Sequence, residues 1–273
     1  MKIKYLLASD MDGTVIPLDD RVERSREIEE FRSLIDQHKD VVLAYVTGRH
    51  FELGMKGIKE FNLPGPEIFV CDVGTTIYRQ IGGAWRLDEE FRKGLKKSWK
   101  GRTGKDIAYL IHDIPELTEQ EREKQTEFKQ SYYIAVDAKT NRVVRSIQDM
   151  LAEDKIEAEI IYSVDTKKNI GLLDLLPKAA AKGTALKYLW NGLEILKDNV
   201  VYAGDSGNDL NAFISGFNAV VVNNTPENVK NEVRKQIRMM NIKDRVFFAD
   251  SKYVKGVIEG CFHFNLFRSH YNE

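Results

Sequence analysis

The chain has 273 residues, with 41 Lys and Arg against 42 Asp and Glu and a formal charge of -1, a balance that offers no general field for nucleic acid or an anionic membrane. Hydrophobic residues make up 42% and only Cys71 and Cys261 are available, which argues against overall disorder, a disulfide framework or a thiolate zinc site. The longest apolar runs, such as residues 41–46, fall far short of the ~20 residues of a membrane span, and the apolar stretch after Lys2 and Lys4 runs into Ser9-Asp10 without a small-residue cleavage site. A cytoplasmic protein without nucleic-acid or membrane partners, and a monomer, is expected.

Taken in chain order, short apolar runs alternate with longer amphipathic stretches. Residues 4–9 read as a strand, 25–37 as a helix, 41–46 as a strand, 50–61 as a helix and 68–72 as a strand. From about 87 to 173 the chain is denser in charge, with strands expected at 130–137 and 157–163 and a helix at 141–154. Beyond it come a helix over 183–196, a strand over 200–203, a helix over 210–215, a strand over 219–222, a helix over 226–239, a strand over 246–248 and a helix over 252–267. Strands apolar on both faces and separated by helices predict an α/β fold with a parallel sheet covered on both sides. The charged middle reads as a separate inserted α/β unit, with one continuous large domain as the alternative. Ligands in such folds collect beyond the C-terminal strand ends.

The most informative segment is Asp10-Met11-Asp12-Gly13-Thr14, where an apolar strand ends in two carboxylates one residue apart and then turns. Two acids that close repel each other unless a cation arranges them, and Mg²⁺, which takes oxygen ligands from few carboxylates plus phosphate and water, suits the task. Asp10 then reads as ligand and nucleophile, and Asp12 as the acid and base serving the leaving oxygen and water. A turn capped by acids is the plain alternative.

Three further segments decide between them. Thr47-Gly48-Arg49 follows the strand 41–46 and opens a helix, an arrangement able to receive an anion. Lys182 opens the helix that contains Gly183 and can neutralise a carboxylate and a phosphate. Gly204-Asp205-Ser206-Gly207-Asn208-Asp209 places two acids, an amide and two glycines directly after the strand 200–203. From there Asp205 can reach the cation, while Asp209 and Asn208 can hold the Lys182 ammonium or the metal's waters. Acid pair, Thr, Lys and acid cluster, each at a strand end or helix start, point to phosphoryl chemistry.

These four motifs resemble the haloacid-dehalogenase-like phosphohydrolase superfamily with a type IIB cap, and in particular the sucrose-phosphate phosphatase family. Val73-Gly74-Thr75-Thr76-Ile77-Tyr78, Phe128-Lys129-Gln130-Ser131-Tyr132-Tyr133, Leu173-Asp174-Leu175-Leu176-Pro177 and Glu259-Gly260-Cys261-Phe262-His263-Phe264 extend the likeness over nearly the whole chain. The resemblance implies a Rossmann-like core over 1–86 and 174–273, an inserted cap over 87–173 that recognises substrate, and Mg²⁺. It implies that Asp10 is the nucleophile, Asp12 the acid/base, and Thr47 and Lys182 the phosphoryl-binding pair. The metal would be held by Asp10, the Asp12 backbone carbonyl and Asp205, with Asp209 nearby. Gly48, Arg49, Gly74, Thr75, Lys129 and Asn208 are the expected substrate contacts.

His50, Thr76 and Gln130 depart from the relatives' pattern at positions able to face a sugar pocket, so the sugar is open among sucrose-6-phosphate, mannosylfructose-phosphate, trehalose-phosphate and hexose phosphates. A phosphosugar mutase could use the same acid pair. A carbon–halogen hydrolase would not need Asp12 or the 204–209 cluster, a signalling receiver module would be about half this size, and a sugar-binding protein with a dead site would show substituted catalytic positions. His112 and His263 sit away from strand ends and are not read as general bases.

Overall fold

The computed structural model describes residues 3–19, 21–137, 139–165 and 168–268, with the side chains of 21–24 excluded. Lys2, one of the two lysines preceding the first apolar run, lies outside the described residues. The first leg of the chain forms β1 (Tyr5–Ser9), α1 (Arg21–Gln37), β2 (Val41–Val46), α2 (Phe51–Glu60), β3 (Ile68–Cys71), β4 (Thr76–Ile81) and β5 (Ala84–Leu87). The middle leg forms α3 (Glu89–Ser98), α4 (Gly104–Leu110), β6 (Thr118–Glu119), β7 (Gln130–Ile134), α5 (Thr140–Glu153), β8 (Ala158–Asp165) and β9 (Ile170–Pro177). The last leg adds α6 (Lys182–Leu193), β10 (Val200–Gly204), α7 (Leu210–Phe213), β11 (Asn218–Val221), α8 (Glu227–Met239), β12 (Val246–Phe248) and α9 (Tyr253–His263).

The first and last legs build one unit around an eight-stranded sheet in the order β12-β11-β10-β1-β2-β3-β4-β5. Six of these strands, β12 to β3, are mutually parallel, and β4 near the edge pairs antiparallel with both β3 and β5. Leu6, Leu7 and Ala8 of β1, like Leu43 to Val46 of β2 and Val201 to Ala203 of β10, are fully buried. A strand enclosed on both faces has no polar side to present, which is why these segments are continuous apolar runs. The chain leaves β1 for β2 on one side and returns from the last leg to β10 on the other. The C-terminal ends of β1 and β10 are therefore adjacent while their onward loops diverge, and this divergence opens a crevice.

The hairpin was not foreseen. Its strands are short and partly exposed, and the signal present was the turn: Gly82 and Gly83 have φ of +59° and +79°, the paired left-handed conformation of a tight hairpin turn.

The middle leg is a unit of its own, residues 88–181, with a four-stranded antiparallel sheet ordered β6-β7-β9-β8. Trp99, Ile107, Ile147, Leu173 and Leu175 are among its buried side chains. The return to the first unit lies at Lys182 and not at the expected 174, because β9 is an inner strand here, bonded to β7 on one side and β8 on the other. Among the described residues no helix is long and apolar enough to cross a membrane.

Within the first unit, α9 lies against β11 so closely that a Cβ on Gly260 would overlap the Val220 side chain. Gly260→Ala is expected to lower unfolding stability by about 1–3 kcal/mol through overpacking, as read from urea denaturation midpoints with an unchanged slope.

Candidate active site

Asp10 directly follows β1, and its backbone N–H donates to Ala203 O of β10 at 2.8 Å. The carboxylate is buried; its Oδ1 accepts from the Met11 N–H at 2.8 Å and lies 3.1 Å from Lys182 Nζ. Lys182 is the first residue of α6. Gly183 beside it has no Cβ because one would stand 2.6 Å from the Asn211 carbonyl, and this close approach brings the helix start up to the loop after β10. Lys182 Nζ donates to Asp209 Oδ1 at 2.7 Å, and neither side chain is exposed.

Asp209 is engaged through both oxygens. Oδ1 takes Lys182 and the Tyr202 hydroxyl, while Oδ2 accepts from the Asp205 and Ser206 N–H groups at 3.0 and 2.9 Å and from Ser206 Oγ at 3.2 Å. A carboxylate so saturated is a scaffold for Lys182 and for the 205–206 backbone. Asp205 is placed differently: Thr14 Oγ1 donates to its Oδ1 at 2.9 Å. Gly13, at φ +78°, leaves the space in which a Cβ would strike the Asp205 carboxylate. Asn224 ties the same turn down, donating to Gly13 O at 2.7 Å while its own Oδ1 accepts from the Tyr253 N–H at 2.9 Å.

Asp10, Asp205 and Asp209 each offer an oxygen within 4.8 Å of the others, and all three are buried. Three carboxylates face one ammonium, so two negative charges are uncompensated when all are ionised. Burial, reinforced by Asp209 and Asp205, pushes the Asp10 carboxyl well above its ordinary range despite Lys182. Burial and then Asp209 push Asp205 up to about 7. Burial works against the Lys182 ammonium, but Asp10 and Asp209 outweigh it and hold the lysine above its usual value. An all-oxygen donor set with excess negative charge fits a hard divalent cation, with Asp10 and Asp205 as the ligands left available.

Thr47 follows β2, is buried, and its Oγ1 accepts from the Arg49 N–H at 3.2 Å. Its loop is bonded to the turn 72–74: Val73 N donates to Thr47 O and Asp72 N to Arg49 O, both at 3.0 Å. Val73 sits at φ +63°, a strained setting for a β-branched residue that such cross-bonding sustains. Gly74 and Thr75 are thereby brought beside the Thr47 loop, but both are buried and Thr75 Oγ1 donates back to Asp72 O at 3.0 Å. Gly48 is exposed.

The other expected site residues lie outside the buried acid cluster. The Asp12 side chain stays outside the buried acid cluster and is held by Arg49, whose Nε and Nη2 donate to Oδ2 and Oδ1 at 2.7 and 2.6 Å. Arg49, expected to contact substrate, is thus paired with a protein carboxylate. Asn208 is exposed and accepts from Ser206 Oγ at 2.9 Å; of these two residues it is Asp209 that accepts from the lysine. His50 caps α2, where it accepts from the Leu53 N–H and pairs with Glu52, and Gln130 donates to the Lys129 carbonyl of its own unit at 3.1 Å. Lys129, in the second unit, is buried. That unit also holds a cavity of about 820 Å³ bordered by Lys105, Tyr109, His112 and Gln130, and none of the clustered carboxylates lines it. Sequence reasoning gave no role to Thr14, Tyr202 or Asn224. Thr14 lay inside a quoted motif, Tyr202 inside the expected strand 200–203, and Asn224 between the expected strand 219–222 and helix 226–239.

The model of the sucrose-6F-phosphate phosphohydrolase family matches residues 3–265. The chain belongs to that family. It is 32% identical over 268 residues to the mannosylfructose-phosphate phosphatase of Agrobacterium fabrum, covering 97% of this chain and 99% of that one. Among solved structures, the sucrose-phosphatase of Synechocystis sp. PCC6803 in complex with sucrose and phosphate superposes with a TM-score of 0.79 at 26% identity, over 98% and 100% of the two chains. A haloacid dehalogenase-like hydrolase of Bacillus subtilis shares the fold at 14% identity, TM-score 0.72, over 98% and 94%. Family membership makes the chain a phosphatase, a phosphoric monoester hydrolase for sugar phosphates, built on the haloacid-dehalogenase-like fold.

The buried lysine gives a structural test. Lys182→Met leaves Asp10 and Asp209 without their cation, and stability measured by urea denaturation in metal-free buffer should fall by about 3–5 kcal/mol.

Proposed function

We propose that this family member hydrolyses a disaccharide phosphate of the sucrose-6-phosphate kind, with Mg²⁺ bound and through a phosphoryl group carried on Asp10. The observation that carries the reading is the placement of Asp10: a buried carboxylate at a strand end, fixed through Oδ1 by Lys182 and the Met11 N–H, in a cluster whose charge calls for a divalent cation. Both contacts fall on Oδ1, which leaves Oδ2 as the attacking oxygen. Mg²⁺, held by Asp10 and Asp205 with Asp209 behind them and the Asp12 carbonyl as a further donor, would supply positive charge against the phosphoryl oxygens.

The chain's own groups supply the rest. Lys182 has three donors and uses two on Asp10 and Asp209, so the third can meet a phosphoryl oxygen. Thr47 Oγ1 accepts from the Arg49 N–H, which leaves its own hydrogen to donate. Asp10 Oδ2 attacks phosphorus, and the bond to the sugar oxygen breaks with its electron pair as Asp12 hands that oxygen a proton. Water then attacks phosphorus, gives its proton to Asp12, and the Asp10–phosphorus bond returns its pair to the carboxylate. Phosphate monoesters are inert enough that accelerations up to ~10²¹ are known for them, so these fixed charges must act together.

Sugar recognition falls to the second unit in this proposal, with Lys129 the first candidate as a lysine 4% exposed, a setting few lysines adopt without a partner. Mannosylfructose-phosphate is the second substrate to weigh, on the strength of the relative from Agrobacterium fabrum.

Asp10→Asn should lose roughly 10⁴-fold or more in phosphate release while still binding substrate in calorimetry; wild-type rates in that variant would end the covalent mechanism. Chelation should stop turnover and Mg²⁺ restore it, and indifference to chelator would remove the metal from the scheme. A panel of sucrose-6-phosphate, mannosylfructose-phosphate, trehalose-phosphate and hexose phosphates, scored by phosphate release and by isomerisation, decides the sugar; isomerisation without release would make the chain a mutase.

A further inference from the structure

Arg49 is held as firmly as a core residue although it stands beside the reaction. Its backbone is bonded on both sides, N–H to Thr47 Oγ1 at 3.2 Å and carbonyl from Asp72 N–H at 3.0 Å. Its guanidinium makes a two-pronged pair with Asp12, through Nε and Nη2 at 2.7 and 2.6 Å, and Nη1 reaches Leu53 O of α2 at 3.3 Å. The seat for this group is cut into the helix. A Cβ on Gly57 would lie 2.5 Å from Arg49 Nη1 and 3.1 Å from Ile16 Cδ1. Glycine in mid-helix costs about 1 kcal/mol relative to alanine, and here it makes room for the arginine.

The pairing has a geometric consequence. A guanidinium across both oxygens fixes the plane of the carboxylate, while each oxygen keeps a lone pair. An Asp12 so held presents its oxygens in one orientation. We infer that Arg49 is a positioning residue for the second half of the reaction: seated on Gly57, it orients Asp12 as the base that accepts the proton of the attacking water, and it does not bind the substrate. This rests on the phosphatase reading above. In the step concerned, the water oxygen bonds to phosphorus, its proton passes to an Asp12 oxygen, and the phosphorus–Asp10 bond breaks with its electron pair going to Asp10.

A substrate whose leaving group needs no proton isolates that step. With p-nitrophenyl phosphate, kcat/KM reports attack by Asp10 and kcat reports release of phosphate from it. For Arg49→Ala we expect kcat to fall roughly 10²-fold and KM to fall with it, so that kcat/KM stays within about twofold. Rapid mixing should then show a burst of nitrophenolate close to one per enzyme as phosphorylated protein accumulates. Arg49→Lys, which keeps the charge and loses the fork, should recover part of kcat. Gly57→Ala should reproduce the arginine defect in milder form while unfolding no more easily than wild type. A raised KM with lowered kcat/KM would make Arg49 a substrate-binding residue and overturn the inference. So would a burst amplitude that falls in step with kcat, or a Gly57→Ala enzyme with wild-type kcat. Wild-type enzyme that never carries phosphate would instead sink the covalent reading itself.

Discussion

Lys182 between Asp10 and Asp209 is the interaction on which the arrangement turns. An ammonium with no exposed surface would be intolerable alone, and so would either carboxylate, since taking a charge out of water costs several kcal/mol. Packed together they become tolerable, and Asp209 completes the arrangement by accepting from Tyr202 and from the 205–206 backbone. One ammonium still does not balance three acids. The protein thus stores unrelieved negative charge beside its nucleophile, and the raised protonation ranges of Asp10 and Asp205 are its signature. A site strained in this sense before any ligand arrives is predisposed toward a cation and, with it, a phosphoryl group.

The sheet order explains how such a site can exist. Because β1 lies between β2 and β10, Asp10 meets Asp205 across one strand spacing and Thr47 across the other. The buried strands leave no choice of register, for a slip would move polar groups into the sheet's core. Glycines then let the loops close in. Gly13 yields space to Asp205, Gly183 lets α6 approach the loop after β10, and Gly57 receives the Arg49 guanidinium. Each marks a place where a side chain would push apart groups that must be within a few ångströms.

Much of this was visible in the residues. Parallel strands announce themselves as short runs apolar on both faces, so β2 and β12 were expected with the bounds observed, and the helices of the first unit to within a few residues. The edge hairpin escaped because half-exposed strands lack that mark, and the second unit's end was placed too early because β9, whose first residues alternate between buried and partly exposed, was not read as a strand. The four motifs named Asp10, Thr47, Lys182 and Asp205 as members of one site. They did not say that Asp209 is saturated as a scaffold, that Asn208 is exposed and bonded to Ser206, or that Arg49 pairs with Asp12. Those facts depend on which of several possible partners a long or branched polar side chain meets, and spacing along the chain carries no such information.

Sequence by itself determined the chemistry available: an acid pair at a strand end, a lysine opening a helix and an acid–glycine cluster are enough to specify phosphoryl transfer, because few other reactions need that set. Only the tertiary structure decided the assignment of roles within it. Charge balance and hydrogen-bond saturation are properties of groups brought together from Asp10 to Asn224, and they exist only once the sheet has closed around them.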